Sequence, residues 1–276
     1  NIWRLIFSMG IPTLVAQVIN LLYNIVDRIY IGHIKDIGAS ALTGVGLTMP
    51  VIVIISAFSM FIGGGGPPLA AISLGKGERE KAEKILSNGF TVLIVLSVIL
   101  SALFLIIKKP FLYLIGASDS TFPYADEYLS IYLLGTVFVQ ITVGLNTFIT
   151  AQGRSNIAML SVLIGAVLNI VLDPLFIFVF DMGVRGAAIA TVISQAFSAA
   201  WVIRFLTSEK ADLRIKRKFL RPEAAVVKSV AALGISPFVM QSTESLISIV
   251  MNSGLQKYGG DLYVGSLTIM QSVMQI

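Results

Sequence analysis

The sequence contains no cysteine and one histidine, His33, in 276 residues. The absence of thiols excludes disulfide frameworks, thiolate zinc sites, iron–sulfur clusters and cysteine nucleophiles. A lone histidine leaves no cluster for a metal centre or a haem pair. Charge is scarce too: Asp, Glu, Lys and Arg make up 13% of the chain, against about 25% in a soluble domain. That is too little to cover a water-facing surface. What takes its place is apolar, 56% of all residues, with a mean hydropathy of +0.88. The composition predicts an all-α polytopic membrane protein.

A bilayer-crossing helix needs about 20 mostly apolar residues. Such runs fall at 5–32, 42–74, 85–107, 124–151, 157–180, 184–206 and 226–255, and another opens at 262. The first ten residues carry one Arg and no small-residue cleavage motif, so the first run is expected to be a span and not a cleaved signal peptide. Placed on alternate sides of these spans, 14 of the 20 Lys and Arg fall on one side and five on the other, with Arg28 inside the first span. The richer side is predicted to be cytoplasmic, with the N-terminus inside. The net charge of +5 then reflects membrane orientation and not nucleic-acid binding. By the same logic Lys216-Arg217-Lys218 belongs to a positive-inside loop, although the cluster is also compatible with anionic lipid or nucleic acid.

The chain repeats itself weakly. A shift of 225 places Ile11-Pro12 on Ser236-Pro237, Asp27 on Asn252, and Ser40-Ala41-Leu42-Thr43 on Gly265-Ser266-Leu267-Thr268. Six spans separate equivalent points, so the repeat is parallel in topology, an arrangement found in transporters. The expected organisation is a six-helix first lobe at 1–206, a basic cytoplasmic linker at 207–225, and the start of a second lobe at 226–276. A chain that stops at Ile276 within a hydrophobic run reads as truncated.

Acids within spans are expensive at bilayer depth and mark function by default. Three lie well inside: Asp27, Asp173 and Glu244. Counted from the span ends, Asp27 and Asp173 lie about 10–12 Å below the extracellular end, as does Thr191, at 1.5 Å per residue. Asn20, Tyr23 and Asp27 follow i, i+3, i+7 spacing and share a helix face, and Asn169 stands one turn before Asp173 on another. Two carboxylates with amide and hydroxyl oxygens suit Na⁺ or a proton held between two close acids. The competing explanation is local: Asp27 precedes Arg28, and Asp173 precedes Pro174 near a helix break. Glu244 has no evident partner. Gly63-Gly64-Gly65-Gly66-Pro67-Pro68 lacks the Lys-Ser/Thr ending and preceding strand of a phosphate loop, so it predicts tight helix packing or a kink. Pro12 permits a bend near the cytoplasmic end of the first span.

Several runs together resemble the bacterial multidrug branch of the multidrug and toxic compound extrusion (MATE) transporters. They are Val26-Asp27, Ser73-Leu74-Gly75-Lys76-Gly77, Ala151-Gln152-Gly153-Arg154, Asn169-Ile170-Val171-Leu172-Asp173-Pro174 and Gly183-Val184-Arg185-Gly186-Ala187-Ala188. The likeness extends over essentially the whole chain and departs at Pro67-Pro68, where small residues are commoner in the family. It implies twelve helices in two six-helix lobes when complete. It assigns Asp27, Asn169, Asp173 and Thr191 to a cation site, Tyr23 and Tyr128 to hydrogen bonds beside it, Asn20 and Asn146 to the substrate cavity, and Pro12 to a bend of the first span.

The expected protein is therefore a multi-pass antiporter of the cytoplasmic membrane, not an enzyme. It would export amphipathic or cationic organic compounds against inward Na⁺ or H⁺. It would need no cofactor, bind no nucleic acid, contact membrane lipids and act as a monomer. A lipid-linked precursor flippase of the same superfamily is the alternative, and would want a more cationic cavity. An intramembrane enzyme would need a nucleophile–base pair or metal ligands at matched depth, and a channel would conduct without a counter-ion.

Overall fold

Apolar side chains face outward as freely as inward in this chain: Ile106 is 80% exposed and Val98 63%, while Leu129 and Leu133 are fully buried. That distribution suits hydrocarbon as solvent, where each backbone polar group must be satisfied within its own helix. The computed structural model describes the backbone over Ile2–Met274 and side chains at 7–271 and 274; the expected chain end at Ile276 and the charge of Arg4 lie outside the described residues.

The helices are α1 (Ile2–Gly32), α2 (Gly38–Gly75), α3 (Arg79–Ile115), α4 (Phe122–Leu134), α5 (Thr136–Ala151), α6 (Ser155–Pro174), α7 (Gly183–Thr207) and α8 (Ala224–Met274). Six of the described helices are long and apolar enough to cross a membrane, and α4 with α5, bent by 61°, form a seventh as a pair.

Two elements differ from expectation, and a third decides between two expected outcomes. The span predicted at 124–151 is broken at Gly135. Glycine weakens a helix, and a Cβ at this one would strike Val192 of α7, so the break also lets two helices close up. The span predicted at 85–107 runs on to Ile115 through Lys108, Lys109 and Pro110. Lys108 ends no helix because its ammonium is held 2.7 Å from Asp126 and donates to Ser130 at 2.6 Å. Finally, α2 passes through Pro50, Pro67 and Pro68 as one helix, so the glycine–proline run packs and does not break.

The glycines of α2 explain its central position. A Cβ on Gly65 would meet the Val230 carbonyl, one on Gly66 the ring of Phe148, and one on Gly234 the carbonyl of Phe61. Backbones thus approach closely on both faces, as small residues permit in membranes, and α2 lies between α5 and α8. Contacts along α8 run antiparallel at first, from Val230 at Gly65 to Ser245, whose hydroxyl donates to the Pro50 carbonyl at 2.8 Å. At Gly260 the backbone turns left-handed (φ 67°, ψ −167°). Beyond it Gly265 meets Thr43 and Thr268 meets Gly46, so the chain now runs parallel to α2. The single element α8 is a helical hairpin, and its reversal falls in the gap expected between 255 and 262.

The linker at 207–225 is bolted to α3. Asn88 donates to the Phe219 carbonyl at 2.8 Å and accepts from the Glu223 amide at 2.6 Å. Thr91 donates to the Leu220 carbonyl at 2.7 Å, and Ser87 accepts from the Lys216 amide at 2.9 Å. Lys84 pairs with Glu223 and Lys218 with Glu80, one charge of each sign from either segment. Both ammonium groups lie over the Phe219 ring, a favourable placement for cations.

Candidate functional site

Two helix irregularities frame the candidate site. Pro174 has no N–H to continue α6, and the turn that follows, Leu175–Val179, is π-helical, with the Phe180 amide bonded to the Leu175 carbonyl at 2.9 Å. Such wide turns recur at functional positions. The bend at Gly135 puts Tyr128 and Tyr132 on α4 and Thr142 and Asn146 on α5, and both halves pack on α7.

Between these irregularities the acids meet. Asp173 is fully buried and Asp27 is 7% exposed, and the two carboxyls face each other within hydrogen-bond reach. Asn169 bridges outward from them, its Nδ2 donating to Asp173 Oδ1 at 3.1 Å and to Thr191 Oγ1 at 3.4 Å. The Tyr128 hydroxyl lies within hydrogen-bond reach of Thr191. Tyr23, one turn before Asp27, sits in the field of both carboxylates. All six residues expected at a cation site are therefore in one cluster drawn from α1, α4, α6 and α7.

Three oxygens of this cluster are buried without a hydrogen-bond partner among the described residues: Asp27 Oδ1, Asn169 Oδ1 and Asp173 Oδ2. Buried polar atoms are paired in the large majority of cases, so three orphan oxygens within one cluster leave room for a further partner there. Among the described residues no group of three or more His, Cys, Asp or Glu is placed to hold a metal ion. The available ligands are hard oxygens, the kind that Na⁺ and protons take and soft metals do not.

A cavity of about 640 Å³ adjoins the cluster and shares Tyr23, Asn169 and Thr191 with it as wall. Asn20 and Asn146 both line it, as expected, with Met49, Met60 and Met159 supplying adaptable apolar surface. Glu244 also faces it, from α8. Pro12 stands apart from the cluster, and α1 runs through it as one continuous helix.

Two wall residues escaped the sequence. Tyr132 stacks on Tyr128 with ring centroids 6.3 Å apart, and Gln195 contributes a buried, unpartnered Oε1. Each follows an expected residue by one helical turn, Tyr128 and Thr191 respectively, so i+4 spacing was the available signal.

A family model described as MatE matches residues 12–175. The multidrug export protein MepA of Staphylococcus haemolyticus (strain JCSC1435) is 27% identical over 259 residues, which are 94% of this chain and 57% of that protein. Among solved structures, the MATE multidrug transporter DinF-BH, held in a complex with a bound compound, superposes with a TM-score of 0.93 at 37% identity, covering 98% of this chain and 60% of that one. An inward-facing multidrug resistance MATE family transporter of the MOP superfamily gives a TM-score of 0.86 at 25% identity, over 98% and 62% respectively. The chain thus spans less than two thirds of the length of each of these proteins.

Proposed function

The chain belongs to the MatE family, and on that premise we propose that it forms the first lobe and the opening helices of the second in a cation-coupled antiporter that exports amphipathic or cationic organic compounds. The observation that carries this reading is the trio of unpartnered buried oxygens on Asp27, Asn169 and Asp173, placed against the wall of a cavity of about 640 Å³. That volume lies in the range of small-molecule sites. The similar DinF-BH structure is that of a multidrug transporter with its ligand in complex, which supports an organic ligand for this cavity.

Tyr23, Asn169 and Thr191 serve both compartments. A cation bound between Asp27 and Asp173 draws these side chains inward and alters the wall that an organic ligand would touch. The two ligands then disfavour each other through shared residues, the reciprocal coupling that exchange requires. Pro12, which removes one backbone hydrogen bond from α1, is the point where that helix would bend in response. Coupling by Na⁺ or H⁺, a cytoplasmic N-terminus in the cell membrane, contact with membrane lipids and a monomeric state are parts of the same proposal.

The test is drug efflux by the full-length protein in sealed vesicles, with a Na⁺ gradient and a proton gradient imposed separately. At least one gradient is expected to stimulate efflux more than tenfold. Asp27→Asn and Asp173→Asn should each abolish the stimulation. Efflux indifferent to both gradients refutes antiport, and full gradient-driven efflux by either variant refutes the site.

A further inference from the structure

Arg28 is the only basic residue inside the first span, and a guanidinium at that depth is costly unless it is paired. Its side chain does not simply fold back on Asp27. Nη1 donates to the backbone carbonyl of Thr268 at 3.1 Å, across 240 positions of sequence. Among the described residues the main packing of donor and acceptor helices lies elsewhere: α1 on α6, and α8 on α2 and α3.

The acceptor is held in place. Thr268 is buried, its hydroxyl donates to the Val264 carbonyl at 3.1 Å, and its side chain occupies the space that a Cβ on Gly46 of α2 would take. The donor, half-buried, stands at the cavity wall with Asp27 and Tyr128 as its electrostatic neighbours. A rigid acceptor on the second arm of the α8 hairpin and a planar donor next in sequence to a cluster acid form a strut across one end of the cavity.

We infer that Arg28 is a positioning residue that ties α1 to the second arm of α8 and so fixes the separation of the two lobes at this end. The strut stands on geometry alone; its use in transport rests on the cation site proposed above, since Asp27 is the counter-charge beside it. Ammonium could replace guanidinium in charge and reach one carbonyl, whereas a thioether of similar length could not donate at all.

The experiment places nitroxide labels on Lys35→Cys, in the turn after α1, and Tyr258→Cys, which is 85% exposed before the α8 reversal, in the full-length protein in lipid. Without added coupling cation, Arg28→Met should broaden the inter-label distance distribution toward longer values, and Arg28→Lys should restore the wild-type distribution. Gly46→Ala, whose methyl collides with the Thr268 side chain, should broaden it with Arg28 intact, which keeps the test open if Arg28→Met fails to fold. A wild-type distribution in Arg28→Met or in Gly46→Ala overturns the strut. A distribution that broadens in the variants while the wild type ignores Na⁺ and protons supports the strut and counts against the cation site.

Discussion

Each of the three unpartnered oxygens between Asp27 and Asp173 belongs to a side chain whose other polar atom or neighbour is engaged, and Asn169 is the hinge of that arrangement. Its amide nitrogen orients both Asp173 and Thr191, while its oxygen is left to the cluster. Asn169→Leu keeps the volume and removes both functions. Losing these two buried hydrogen bonds, at about 1 kcal/mol each, predicts roughly thirtyfold weaker cation binding, measurable by titration calorimetry of the full-length protein. Asp27 and Asp173 were legible in the sequence because an acid in a long apolar run has few structural reasons to be there. Tyr132 and Gln195 were not, because tyrosine and glutamine are tolerated at many membrane positions and only the packing of α4 on α7 reveals which of them face inward.

Among the elements, α2 is the most demanding. Gly65 of α2 and Gly234 of α8 each face the other helix's backbone, and backbone does not swing aside as a side-chain tip does. Gly65→Ala and Gly234→Ala are therefore expected to destabilise by about 1–3 kcal/mol, as overpacking does, with a lower melting temperature in detergent. Gly75→Ala, with nothing within 4 Å of the added methyl, should leave the melting temperature unchanged or slightly raised. The glycine–proline run announced close packing in advance, since no phosphate loop could be made of it. The break at Gly135 was not announced, because a single glycine within an apolar run resembles many others, and its partner Val192 lies 57 positions away. The extension of α3 past Lys108 was hidden for the same reason: charge reads as a span end until its partners on α4 are known.

At the scale of the whole molecule, the basic linker expected at 207–225 is a strap fastened to α3. Its fastenings on Ser87, Asn88 and Thr91 lie more than 120 positions upstream, beyond the reach of any local pattern. Asn88→Ala removes a donor and an acceptor together, leaving the Phe219 carbonyl and the Glu223 amide without their partner. The strap should then peel from α3, and trypsin, which cuts after Lys and Arg, should cleave after Arg217 and Lys218 about tenfold faster in the folded, detergent-solubilised protein. Cleavage at the wild-type rate would mean that the neighbouring ion pairs suffice.

The order of those fastenings along the chain has a further consequence. The side chains that hydrogen-bond the strap's backbone among the described residues are synthesised before it: Ser87, Asn88 and Thr91 on α3, and Gln152, whose side-chain oxygen accepts from the Leu213 amide at 2.9 Å. The strap can therefore be sewn down while the ribosome is still making α8, as domains that fold in sequence during synthesis allow. The nascent hairpin would then enter the membrane from a fixed point beside α2 and α3, with its first arm already aimed at the glycine groove that receives it.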